Sequence, residues 1–199
     1  DLPDGRREID PAVLVDAVRQ AFKELWSESN LNPHKCVAFA VGGAMHGMCL
    51  VDENGNFGPN IICWDDPRHV DISEELSRRL KLPIPNRFTA CRVAGWFRDN
   101  SSSEFVPKRV FTPSGFILSR IVGPENASTL FGDFTGMVGY QSSPLLSNHQ
   151  EITDAMTAIS PAAKGFIRML PSFMPFGRIS GRVNPAGSKL TGLPVGTPC

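Results

Sequence analysis

The sequence predicts an α/β domain, and three observations predict it. Short β-rich runs at Cys36–Val41, Gly47–Val51 and Asn60–Cys63 crowd into one stretch of the chain. Segments with apolar residues at helical spacing lie on both sides of that stretch. Capping signatures at Asp10-Pro11, Thr112-Pro113 and Asn184-Pro185 open helices before and after it. Strands bracketed by such helices make a sheet with helices packed on its faces.

The elements follow in order. Asp10 caps and Pro11 begins a helix that carries Leu14, Ala17, Val18, Ala21, Phe22 and Leu25 to about Glu28. Asn30–Pro33 breaks it, and the apolar density of Cys36–Val41 predicts a strand buried on both faces. Gly47–Val51 is the second strand. It leads through Glu53-Asn54-Gly55-Asn56 to the third, Asn60–Cys63, and Asn-Gly between apolar runs predicts a type I′ hairpin turn. Ser73, with Glu74 and Glu75, starts a helix to about Leu80. Pro83 and Pro85 interrupt the chain, and a helix from about Arg87 to Arg98 follows. Asn100–Glu104 is a polar loop, and Thr112-Pro113 opens a helix ended by Gly123. Leu130–Gln141 holds three glycines and reads as irregular or edge strand. Glu151–Ile159 and the stretch from Ser160-Pro161 are helical, Leu170–Pro175 is a linker, and Arg178–Val183 is a short strand. Asn184-Pro185 opens a last helix through Leu190, with Gly192 as its stop.

The densest chemistry lies in Val37–Asp52. Gly42-Gly43-Ala44 ends one β-rich run, and Met45-His46-Gly47 begins the next, so Met45 and His46 fall at one end of a sheet, beside backbone that a ligand can approach closely. A lone histidine at a strand end is more often structural than a ligand, and the residues by themselves leave both readings open. Trp64 reads as core packing, and Asp65 and Asp66 as caps or partners of Arg68.

Composition excludes several classes. The 199 residues carry no net charge, with 41% hydrophobic and 20% charged residues, and no long basic run, which argues against a nucleic-acid or anionic-membrane surface. No apolar stretch reaches the ~20 residues that span a bilayer. Five cysteines without a C-x-x-C pair read as reduced thiols of a cytoplasmic protein. Phosphate-loop, dinucleotide, nucleophile-elbow and H-E-x-x-H patterns are absent, and four scattered histidines indicate no metal cluster.

Three blocks resemble the N-terminal domain of the FGGY family of carbohydrate kinases, and within it the xylulokinases. Met45-His46-Gly47 with Leu50-Val51-Asp52-Glu53-Asn54-Gly55 is similar to the pattern Gly-Gln-Met-His-Gly followed by Leu-Leu-Asp-Glu-Asn-Gly. Ile62-Cys63-Trp64-Asp65-Asp66-Pro67-Arg68 is similar to Leu-Trp-Asn-Asp-x-Arg. Thr191-Gly192-Leu193-Pro194-Val195-Gly196-Thr197-Pro198 is close to Thr-Gly-Leu-Pro-Ala-Gly-Thr-Pro. The resemblance covers nearly the whole chain. There are departures: Ala44 stands where the family has Gln, Asp65 where it has Asn, and Val93 where it has a Lys, with Arg92 one place off.

The resemblance implies a ribonuclease H-like, actin-like ATPase fold in which residues 1–199 form an incomplete N-terminal sugar-binding domain. The family's opening Asp-x-Gly-Thr strand, its general-base aspartate, expected beyond Cys199, and its ATP-binding C-terminal domain have no counterpart here, so no catalytic or metal-binding residue is assigned. Unpaired edge backbone and uncovered apolar surface near the strands at Cys36–Val41 and Gly47–Val51, with poor solubility or self-association, are expected as a result. The implied chemistry is transfer of the ATP γ-phosphate, with Mg²⁺, to a ketose, most simply D-xylulose to D-xylulose 5-phosphate, and the chain alone is expected to be inactive. Met45, His46, Gly47, Asp65, Arg109 and Asp133 are the implied substrate-binding residues. The alternative is a non-catalytic sugar- or protein-binding module, or a kinase for ribulose, sedoheptulose or gluconate. The expected partner is a small sugar, with neither nucleic acid nor membrane, and a homodimer is left open.

Overall fold

The computed structural model describes residues 3–130, 149–174 and 177–199. Its centre is an antiparallel layer. Strand β1 (Glu8–Ile9) pairs with β3 (Ile61–Ile62), and β2 (Cys49–Val51) pairs with β4 (Arg109–Phe111). A Met48–Ile62 bridge joins the two pairs in the order β1-β3-β2-β4. A separate parallel pair is formed by β5 (Ser128–Leu130) and β6 (Ser172–Met174), the latter in the stretch expected to be a linker.

Helices cover both faces of the layer. Side chains alternate along a strand, so Met48 and Leu50 face one core while Cys49 and Val51 face the other. The first core takes in α2 (Val70–Leu80), α3 (Thr89–Asp99), α5 (His149–Ile159) and α6 (Phe166–Met169). The second takes in α4 (Pro113–Val122) and α7 (Pro185–Thr191), and α1 (Pro11–Glu28) lays Leu14, Val18, Phe22 and Trp26 along it at four-residue spacing. Trp26 Nε1 donates to the Thr191 carbonyl at 2.6 Å and ties α1 to the end of α7. All five cysteines are free, and burial pushes the Cys91 thiol up to about 12.

Helix α1 runs over the expected residues with the Asp10 side chain accepting from the Ala12 amide, and α4 is capped by Thr112 and stopped at Gly123. Four further expectations need correction. Residues 36–41 join no strand ladder. They run over the second core with Cys36, Phe39 and Val41 half-buried, while Val37 is 85% exposed, so one face is covered and not both. The Asn-Gly turn is not type I′, because Gly55 has positive φ and Asn54 does not. The Asp52 carboxylate instead accepts from the Asn54 and Asn56 amides, which widens the turn. Helix α2 begins after His69 in the left-handed conformation, not at Ser73. The expected strand at 178–183 is reduced to one bridge, Arg182–Pro198.

Candidate functional site

Three elements meet at Gly47. Its φ of +115° and its close neighbours leave no room for a side chain: a Cβ there would lie 3.1 Å from the Ile62 carbonyl oxygen and 3.2 Å from Pro113 Cδ. The Gly47 carbonyl accepts from Thr89 Oγ1 at 2.7 Å, in the first turn of α3. The segment from Gly42 to Gly47 therefore crosses the end of β3 and the N-terminal ends of α3 and α4. Gly43 lies over α4, where a Cβ would sit 3.1 Å from Ser114 Cβ. Thr112 and Ser114 bring two buried hydroxyls, 3.1 Å apart, to the same place.

Out of this junction come Met45, 48% exposed, and His46, half-buried with its ring 5.3 Å from that of Phe88. Phe88 immediately precedes α3, and the Arg87 guanidinium lies 5.8 Å from its ring centroid. Trp64 follows Ile62 by two residues and is 53% exposed, so it is not the core residue expected from sequence. Phe88 is buried beneath the histidine, so the groups left at the surface are an imidazole that can both donate and accept and an exposed thioether, which suit a small polyhydroxylated ligand.

The Trp64–Arg68 loop is held from beneath. Asp66 has no exposed side-chain surface and accepts from the Arg7 amide at 2.8 Å, the Arg68 amide at 3.0 Å and the Arg68 guanidinium at 2.9 and 2.8 Å. Burial pushes its carboxyl up, but Arg68 and the two amides outweigh that and hold it at about 2. Glu8 completes the cluster at 2.6 Å from Arg68. Asp66 is thus a structural hub, as its reading as a cap and partner of Arg68 anticipated. Asp65 is exposed at the loop surface, 3.9 Å from Arg7 Nε.

Met45, His46 and Gly47 thus sit at this junction, where Gly47 packs against the Ile62 carbonyl two residues before Trp64. Arg109 does not join them. It pairs with Val51, and because β4 runs antiparallel to β2, the end of β4 that reaches Gly47 is Thr112-Pro113. Asp133 lies outside the described residues. Thr89, Phe88 and Ser114 were missed. Thr112 was legible only as a cap.

Among the described residues, no three His, Cys, Asp or Glu side chains gather to hold a metal, and no helix is long and apolar enough to cross a membrane. The residues of this junction do not fit a nucleotide–metal site.

Residues 2–199 match the FGGY family of carbohydrate kinases, N-terminal domain. The xylulose kinase of Staphylococcus xylosus is 24% identical over 146 residues, which is 67% of this chain and 29% of that protein. The xylulose kinase of Bacillus subtilis is 27% identical over 128 residues, 60% of this chain and 26% of that protein. The chain thus spans less than a third of the length of these relatives. Among solved structures, the ligand-bound xylulose kinase of Lactobacillus acidophilus superposes over 100% of this chain and 40% of its own, with a TM-score of 0.74 at 17% identity. Gluconate kinase from the same species superposes over 100% and 39%, with a TM-score of 0.72 at 16% identity. The fold is therefore that of the actin-like sugar kinases.

Proposed function

Since the chain belongs to the FGGY family of carbohydrate kinases, of which it is N-terminal domain sequence, we propose that residues 45–47 and the Trp64 loop form the sugar-binding part of a ketose kinase. The observation that supports this reading is the placement of His46 and exposed Met45 on a glycine-lined junction, where Gly47 packs against the Ile62 carbonyl two residues before the half-exposed Trp64. A sugar hydroxyl that leaves water needs a replacement hydrogen bond. His46 supplies a donor or an acceptor, while Met45 and Trp64 cover the carbon skeleton.

The preferred acceptor is D-xylulose, in line with the names of the relatives, and the phosphate donor would be ATP with Mg²⁺. That chemistry is positioning plus charge stabilisation. This chain's own residues bind and orient the acceptor, and no phosphoryl-transfer step is assigned to them.

Calorimetric titration tests the proposal. D-xylulose should bind the chain more tightly than D-ribulose, sedoheptulose or D-gluconate, and His46→Ala should weaken binding about tenfold or more, on the scale of a lost buried hydrogen bond. Equal affinity of wild type and His46→Ala would remove His46 from the site.

A further inference from the structure

Arg92 lies in the middle of α3 with no exposed surface, and its guanidinium makes an unusual set of bonds. Nη1 donates to the Arg68 carbonyl at 2.9 Å, and Nη2 donates to the carbonyls of Asp66 at 2.7 Å and Trp64 at 3.1 Å. The Asp66 carboxylate approaches only to 4.0 Å. Burying a cation is costly unless its hydrogen bonds are met, and Arg92 spends its terminal nitrogens on the backbone of one short loop. The guanidinium is rigid and planar, so it sets the directions of the three carbonyls together. What that loop presents at the surface is Trp64 and Asp65.

The other half of the site hangs from the same face of α3. Thr89 and Arg92 are three residues apart, which places them side by side on a helix. Both are fully buried. Thr89 holds the Gly47 carbonyl, and Arg92 holds the Trp64–Arg68 carbonyls. One turn of one helix therefore sets the distance between the His46 segment and the Trp64 loop.

We propose that Arg92 is a positioning residue for ligand binding: it clamps the Trp64 loop at a fixed spacing from His46, and Thr89 anchors the His46 side. The inference rests on the sugar-site reading for its functional consequence, while the clamp itself is a property of the loop.

The test uses Arg92→Met, which replaces a buried cation by an apolar side chain of similar length, and Arg92→Lys, which keeps the charge but not the fork. Leu76→Ala, a buried core change in α2, serves as a comparison with lowered stability. D-xylulose affinity is measured by calorimetry, and amide exchange is followed at Asp66 and Arg68. The clamp predicts at least tenfold weaker binding and selectively faster exchange at these two amides in Arg92→Met. Arg92→Lys should be intermediate, and Leu76→Ala should match wild type in both. Wild-type affinity and exchange in Arg92→Met would overturn it, as would an equal loss of affinity in Leu76→Ala. Should Arg92→Met fail to fold, Arg92→Lys carries the same two readouts: weaker binding with faster exchange at the two amides supports the clamp, and wild-type values overturn it. If wild-type chain binds no ketose, the sugar reading fails and the exchange arm alone decides: unchanged protection in the Arg92 variants overturns the clamp, and selective loss supports it.

Discussion

Asp66 shows how a surface loop is held by a buried charge. Its carboxylate accepts two amides and the Arg68 fork, and its folded pKa of about 2 lies below its ordinary value of 3.8. A depressed carboxylate contributes stability above the unfolded pKa, and the contribution is lost as pH falls from near 4 through about 2. The difference amounts to about 2 kcal/mol at neutral pH. Asp66→Asn should be destabilised by about that much at pH 7, and the gap to wild type should close by about pH 2. Denaturant titrations at several pH values check this, and a gap that persists at acid pH would mean that ionisation is not what Asp66 contributes. At this scale the sequence was partly legible. Asp66 and Arg68, two residues apart, announce a local pair, and the glycine context of Met45-His46-Gly47 announces backbone packed too closely for a side chain at Gly47. Trp64 misled, because a large aromatic after an apolar run looks like core and only the turn of the chain exposes it. Arg109, placed in the site by the resemblance alone, pairs with Val51, at the opposite end of β4 from the Thr112-Pro113 end that meets Gly47.

Elements were legible where capping and periodicity agree. Helix α1 has an Asp-Pro start and a four-residue apolar stripe, and α4 has Thr-Pro and a terminal glycine; both formed over the expected residues. Strands were less legible. β4 is three residues long and carries no pattern before its partner β2 arrives, while residues 36–41 have the composition of a strand and no ladder partner among the described residues. Composition measures the tendency to be half-buried on a pleated surface and does not name a neighbour. Close approach between elements was invisible too. Gly187 in α7 packs on the end of α4, and a Cβ there would lie 2.7 Å from the Ile121 Cα. Helix propensity predicts that Gly187→Ala stabilises by up to about 1 kcal/mol, whereas collision with backbone predicts a loss of about 1–3 kcal/mol. The contact should win, so thermal denaturation of Gly187→Ala should show a lower Tm. A raised Tm would mean that α7 can move off α4 at little cost.

At the scale of the whole molecule, a narrow antiparallel layer separates two cores, and the candidate site lies where the layer ends. There the Gly42–Gly47 segment crosses the starts of α3 and α4, with β3 leading into the Trp64 loop. The α/β class followed from helices on either side of the β-rich stretch. The site's second half, on α3, did not, because Thr89 and Arg92 read as ordinary helix residues until the fold places them under two loops. A sugar held at this junction perturbs only its own surroundings, and backbone amide chemical-shift mapping tests that most directly. On titration with D-xylulose, the largest perturbations should cluster at 44–47, 64–66 and 87–90, with the Arg109 end of β4 unmoved. Perturbations centred elsewhere, for instance on the groove lined by Phe105, Lys108 and Arg168, with the His46 and Trp64 amides unshifted, would contradict it.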